Sequence, residues 1–137
     1  MFWKLTNENE CHHSYQYHDG LNVDPVPFAG DGDCVPGGLY YAGRDVLAFC
    51  AGMTWVREAT VPAGARWVRN PGSGLEKFRA DRLDLGPRRP LWNAGTLQWL
   101  VAHGADVHAC EDDALRWAAG GGRLECVQWL KERGEMS

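Results

Sequence analysis

The sequence predicts an α+β protein: a β-rich N-terminal domain over residues 1–90, followed by a short all-helical repeat tail over residues 91–137. Three observations predict this. All seven prolines fall between Pro25 and Pro90, so only the tail is free to be helical throughout. Gly86-Pro87-Arg88-Arg89-Pro90 makes a stiff junction in which regular helix cannot form. Finally, Leu97-Gln98-Trp99-Leu100-Val101-Ala102-His103-Gly104 aligns at an offset of 30 with Val127-Gln128-Trp129-Leu130-Lys131-Glu132-Arg133-Gly134.

In chain order, residues 2–6 and 14–18 read as strands, with Asn7-Glu8-Asn9-Glu10 between them and Asp19-Gly20 as a turn. Residues 24–38, rich in Pro, Gly and Asp, read as loop, and 39–41 as a short strand. Mixed apolar spacing over 44–51 predicts a short helix. Residues 55–61 form a strand ending in the turn Pro62-Ala63-Gly64, 65–69 return, and 78–85 hold one more strand. In the tail, Leu97, Leu100 and Val101 share one helical face, and Ala114 to Ala119 make a second helix with Asp112 or Asp113 as its N-cap. Gly120-Gly121-Gly122 separates it from a third helix that starts at Leu124. Gly104 and Gly134 sit where a helix would close in a left-handed residue.

Composition narrows the function classes. The chain is 45% hydrophobic and 23% charged, typical of a folded globular protein, and no apolar run is long enough to span a membrane. The first ten residues carry Asn and Glu where a signal peptide would be apolar. Five scattered cysteines, an odd number, fit a reduced intracellular protein better than a disulfide framework. Seven Trp is a high count for 137 residues, and each requires apolar surface or a partner to cover it.

Ala114-Leu115-Arg116-Trp117-Ala118-Ala119, continued by Gly122-Arg123-Leu124-Glu125-Cys126-Val127-Gln128-Trp129-Leu130, resembles an ankyrin repeat. His103-Gly104-Ala105-Asp106-Val107-His108 looks like the hairpin that joins one such repeat to the next. The resemblance covers about one and a half repeats and is strongest to the shortened repeats of giant-virus ankyrin proteins. Phe2-Trp3-Lys4-Leu5-Thr6-Asn7, Tyr15-Gln16-Tyr17-His18-Asp19-Gly20-Leu21-Asn22 and Gly37-Gly38-Leu39-Tyr40-Tyr41 resemble the leading domain of those proteins, together with Cys34, Val56-Arg57-Glu58 and Lys77-Phe78-Arg79-Ala80-Asp81. It implies a non-enzymatic protein–protein interaction module with a protein partner, of host origin if the chain is viral, and a place in the host cytoplasm or the virion. One departure stands out. The Thr-Pro-Leu-His that opens an ankyrin repeat's first helix is replaced by Asp113, Ala114, Leu115 and Arg116. So short an array also cannot stand alone, because stable stacks need about three repeats with polar ends. Either the N-terminal unit caps it or a second chain does.

Other chemistries are weaker. Cys11, His12, His13 and His18 are the one cluster of metal-ligating types, but adjacent His12 and His13 point to opposite sides of a strand, so no metal site is expected. Asp31-Gly32-Asp33 lacks the later Glu of a calcium loop, and Gly37-Gly38 lacks the Lys of a phosphate loop. No catalytic residues and no cofactor are expected. The runner-up is a small-molecule or nucleotide pocket around Tyr15, Tyr17, Cys34 and Tyr40. A third reading draws on charge, which is −5 over residues 1–53, +4 over 54–90 and −3 over the tail. The Arg-rich middle would suit nucleic acid, but an acidic chain of pI about 5.7 favours a solvated face paired with acidic neighbours.

The expected partner surface is the concave face of the helical hairpins and the loop around Asp106, His108, Glu111 and Asp112, with Trp117 as its anchor. Trp99 and Trp129, equivalent in repeat phase, are expected in the core. Self-association through the tail, as a homodimer, is expected at Leu124, Val127, Trp129 and Leu130.

Overall fold

In the computed structural model, residues 1–12, 14–28, 37–69 and 74–135 are described, apart from the side chains of 110–113 and 134–135. The expected features at His13, Asp31-Gly32-Asp33 and Cys34 lie outside those residues.

Alternation builds the first strand. β1 (Phe2–Thr6) carries Trp3 and Leu5 on one face and Lys4 and Thr6 on the other, and both faces are buried. Next comes a small hairpin of β2 (Cys11–His12) and β3 (Tyr15–Gln16), so the strand expected over 14–18 is only its second arm. β4 (Gly20–Val23) follows where only a turn was expected at its start. β5 (Leu39–Ala42) leads to a 3-10 turn at Val46–Phe49 in place of the expected helix over 44–51. The Asp45 carboxylate accepts from the Glu76 amide, so it does not cap a helix there. β6 (Trp55–Thr60) and β7 (Trp67–Arg69) stand where expected. The strand expected within 78–85, around Arg82 to Leu85, is β9 (Arg82–Leu85), and β8 (Lys77–Ala80) comes before it as a second strand.

The large sheet is antiparallel throughout, in the order β4-β9-β6-β1-β5-β8-β7. The proline junction is itself part of it. β10 (Arg89–Pro90) pairs with β6 beyond the end of β9, with Pro90 opposite Trp55. A proline is tolerated there because its missing N–H faces away from the ladder.

Three helices complete the chain: α1 (Ala94–Ala102), α2 (Ala109–Gly120) and α3 (Leu124–Glu135). Asn93 caps α1 by accepting from the Thr96 amide at 3.1 Å. Gly104 follows with φ +106°, the left-handed residue expected there. Gly134, by contrast, lies inside α3, which keeps its helical backbone to Glu135. α2 starts at Ala109, so Asp112 and Asp113 lie within the helix and neither is its N-cap. The acidic run then falls near the positive end of the helix dipole.

Each face of the sheet carries a core. On one, Tyr17, Leu39, Tyr41, Ala80 and Leu83 pack together. On the other, Trp3, Leu5 and Val56 share one apolar cluster with Val46 and Leu47 of the 3-10 turn and with buried residues of all three helices. α3 packs on α1, its counterpart one repeat earlier, and α2 packs on the 3-10 turn. The counterpart of α2 would fall thirty residues upstream, where the chain is already committed to β8, β9 and β10. Within the stack, the 3-10 turn fills that place.

Candidate protein-binding face

The geometry of the helical tail starts from small residues. Ala114 and Ala118, one turn apart on α2, are fully buried, which lets α3 approach closely with Cys126 and Leu130. Cys126 is 2% exposed, and burial pushes its thiol up from the ordinary range, which favours the neutral, apolar form. Between α1 and α2, the Asp106 amide donates to the Arg44 carbonyl at 2.8 Å and ties the hairpin to the N-terminal unit. The Asp106 carboxylate accepts from the His108 amide at 2.9 Å. The residues foreseen as a recognition loop are therefore partly committed. Asp106 and His108 are half-buried, and Glu111 and Asp112 are helical positions whose side chains lie outside the described residues.

Elsewhere on the tail, two large apolar side chains are uncovered among exposed Arg116, Glu125 and Gln128. Trp117, in the last turn of α2, is 43% exposed, and Leu124, the first residue of α3, is 79% exposed. Arg123, between them, donates to the Trp117 carbonyl at 3.1 Å. Val127 is half-buried beside this surface. Leu130 is only 3% exposed and belongs to the core, so it takes no part in an outward face.

The surplus of Trp divides accordingly. Trp3 is buried, its ring edge-on to Trp99 at 6.2 Å. Arginine guanidinium groups lie over four more: Arg88 over Trp55 and Arg89 over Trp99, each at 4.0 Å, Arg123 over Trp92 at 4.7 Å, and Arg133 over Trp129 at 5.4 Å. Trp99 and Trp129 are thus half-buried against the core, each with a cationic cover. Among the described residues, no cation lies over Trp117. Among the same residues none lies over Trp67 of the edge strand β7 either, whose ring meets that of Phe78. Sequence reasoning missed the pairing of these Arg and Trp because each pair joins distant segments, Arg133 and Trp129 excepted.

The Arg-rich segment is the solvated face expected of it only in part: Arg66, Arg69, Arg88 and Arg89 are exposed, and Arg82 and Arg88 reach the carboxylates of Asp81 and Glu10. Arg57 and Arg79 are buried. Arg57 meets Glu10 in two 2.8 Å contacts, also pairs with Asp19, and donates to the Gly86 carbonyl at 2.8 Å. Arg79 reaches the Gly37 carbonyl at 2.9 Å. Both serve the interior of the sheet, which leaves a smaller basic surface than the sequence suggested. Of the aromatic group foreseen around a pocket, Tyr17 and Tyr40 do line one cleft. Tyr15 instead packs on Tyr17 and donates to Asn22 at 3.2 Å. The His12 ring lies edge-on to Tyr40, and His18 Nδ1 is 2.9 Å from the Asp19 carbonyl.

The comparisons with known proteins agree with the repeat. A family profile described as ankyrin repeats (many copies) matches residues 95–130, from the first turn of α1 to the middle of α3. A protein of Acanthamoeba polyphaga mimivirus, named as an ankyrin repeat protein, is 33% identical over 138 residues, spanning 96% of this chain and 67% of its own length. The chain belongs to the ankyrin repeat proteins. Within this family the likeness is not confined to the repeat. A second mimivirus protein, named only as uncharacterized, is 32% identical across 93% of this chain and 94% of its own. A third, again named as an ankyrin repeat protein, is 33% identical over 93% of this chain but only 46% of itself. The chain thus spans about half the length of some of its relatives, two thirds of one and nearly all of another. No solved structure matches it. No helix among the described residues is long and apolar enough to cross a membrane.

Proposed function

We propose that the chain is a non-enzymatic protein-binding module that engages its partner with the outward side of the α2–α3 hairpin. The observation that carries this is the asymmetry of the stack. One end is closed by the sheet and the 3-10 turn, while the other presents Trp117 and Leu124 to solvent. Trp is a residue type enriched among interface anchors, and the exposed Leu adds apolar surface to the same hairpin. Burying that Leu alone contributes about 1.5–3 kcal/mol. In this reading residues 1–90 act as a cap and residues 91–137 as the binding part. Self-association through the same surface, centred on Leu124, Val127 and the rim of Trp129, covers the open end when no other protein does. In an infected cell, a host protein takes that place, in the cytoplasm or on the virion.

Affinity capture from host-cell lysate tests the reading, with the intact chain beside a W117A/L124E double variant. Proteins retained by the first and lost with the second support the reading. Equal retention by both places the contact elsewhere.

A further inference from the structure

The sheet splits between two of its central strands. β1 and β5 pair only at Trp3↔Ala42 and diverge beyond it, leaving a cleft of about 320 Å³. Lys4 and Thr6 of β1, Tyr17, Tyr40 of β5, Phe49 of the 3-10 turn and Lys77 of β8 are among the residues that line it.

Its wall is rich in rings and in donors, and short of acceptors. No Asp or Glu belongs to the lining among the described residues. Lys4 is buried, and its ammonium sits 4.6 Å from the Tyr17 ring centroid with no hydrogen bond or ion pair among the described residues. The Lys77 ammonium approaches the same space, 5.0 Å from the Tyr40 ring and 5.7 Å from that of Phe49. Among the described residues, two buried side-chain polar atoms lack a hydrogen-bond partner: Trp3 Nε1 and the Tyr40 hydroxyl. Both belong to residues of the cleft wall. A buried ammonium without a counter-ion is costly, and so is an unmet donor. Burial, with the charge of Lys77 added, draws Lys4 down to about 7. An anion in the cleft would reverse that.

We propose that this cleft binds a small aromatic carboxylate, its ring among Tyr17, Tyr40 and Phe49 and its carboxylate facing Lys4 and Lys77. The volume lies at the low end of ligand pockets, about 300–1,000 Å³, which suits one or two rings and is tight for a nucleotide. Two lysines match a single carboxylate better than a chain of phosphates. The site stands apart from the α2–α3 surface, so its fate and that of the protein-binding reading are independent.

Isothermal titration with naphthoate as the probe tests the site, with neutral naphthamide and ring-less acetate as controls. Saturable one-to-one binding of naphthoate is expected, weaker by at least about tenfold for naphthamide and in a K4M variant that keeps the wild-type circular dichroism. K77M gives the same weakening and serves alone if K4M fails to fold. Absence of saturable naphthoate binding overturns the proposal. So does undiminished binding by whichever folded lysine variants are measured, or acetate binding as tightly as naphthoate.

Discussion

Arg57 organises one face of the sheet through its two contacts with Glu10, each 2.8 Å long. Both side chains are 5% exposed, so neither can fall back on water. Arg57→Ala leaves the buried Glu10 carboxylate with only the longer 3.4 Å contact from the exposed Arg88, and should cost about 3–5 kcal/mol, read from urea unfolding. Burial works to raise the Glu10 carboxyl, but hydrogen bonds from Arg57 and Thr6 outweigh it and hold the group below the ordinary carboxylate range. The folded state therefore takes up that proton less readily than the unfolded chain. Its contribution is present above the unfolded value of about 4.3 and is lost as pH falls below it. Lys4 runs the other way. Its folded value is about 7 against an ordinary 10.5, so between those limits the unfolded chain holds a proton that the folded chain has released. Stability should rise with pH across that window, and thermal melts of Lys4→Met should lack the rise. A melt series in which wild type and Lys4→Met run parallel would show that Lys4 is not buried as described.

At the scale of elements, α1 is fixed by its two ends. Asn93→Ala removes the bond to the Thr96 amide, and about 1 kcal/mol of stability should go with it. Gly104→Ala meets no neighbouring atom but must hold φ at +106°, and a loss of about 1–2 kcal/mol is expected from that alone. Chemical denaturation of the two variants checks both. Gly104 and the Trp99/Trp129 repeat were legible in the sequence because glycine caps and helical spacing are local signals. β4 was not. Its outward residues Leu21 and Val23 are exposed and its buried one is Asn22, satisfied by Tyr15 and the backbone of His18 and Gly20, so the apolar alternation that marks a strand is inverted. β10 was hidden by its prolines, which in isolation read as a junction. The start of α2 was misplaced because an acidic pair looks like a cap even when it lies inside the first turns. Trp117 and Leu124 could be named from their positions on a helical wheel. That Leu130 belongs to the core could not, since it depends on where the sheet lies. The cleft was half legible, through Tyr17 and Tyr40, because Lys4 and Lys77 meet only through strand pairing.

On the scale of the whole molecule, the sheet and the helices share one apolar cluster. The cap and the repeat tail should accordingly unfold in one transition, with fluorescence and circular dichroism melts coinciding. A chain ending at Pro90 uncovers Trp3, Leu5, Val46 and Val56 together and should show no cooperative melt. Point variants are therefore the sound way to separate the contributions of cap and tail. The same economy explains how so short a repeat stands at all. The 3-10 turn and β1 close one end of the stack, and the remaining demand for cover falls on the α2–α3 surface. Light scattering over a micromolar concentration series, wild type beside Leu124→Glu, tests that demand most directly. A wild-type dimer that becomes a monomer on substitution, with the circular dichroism of the folded state unchanged, is the predicted result. A wild type that stays monomeric throughout would contradict it.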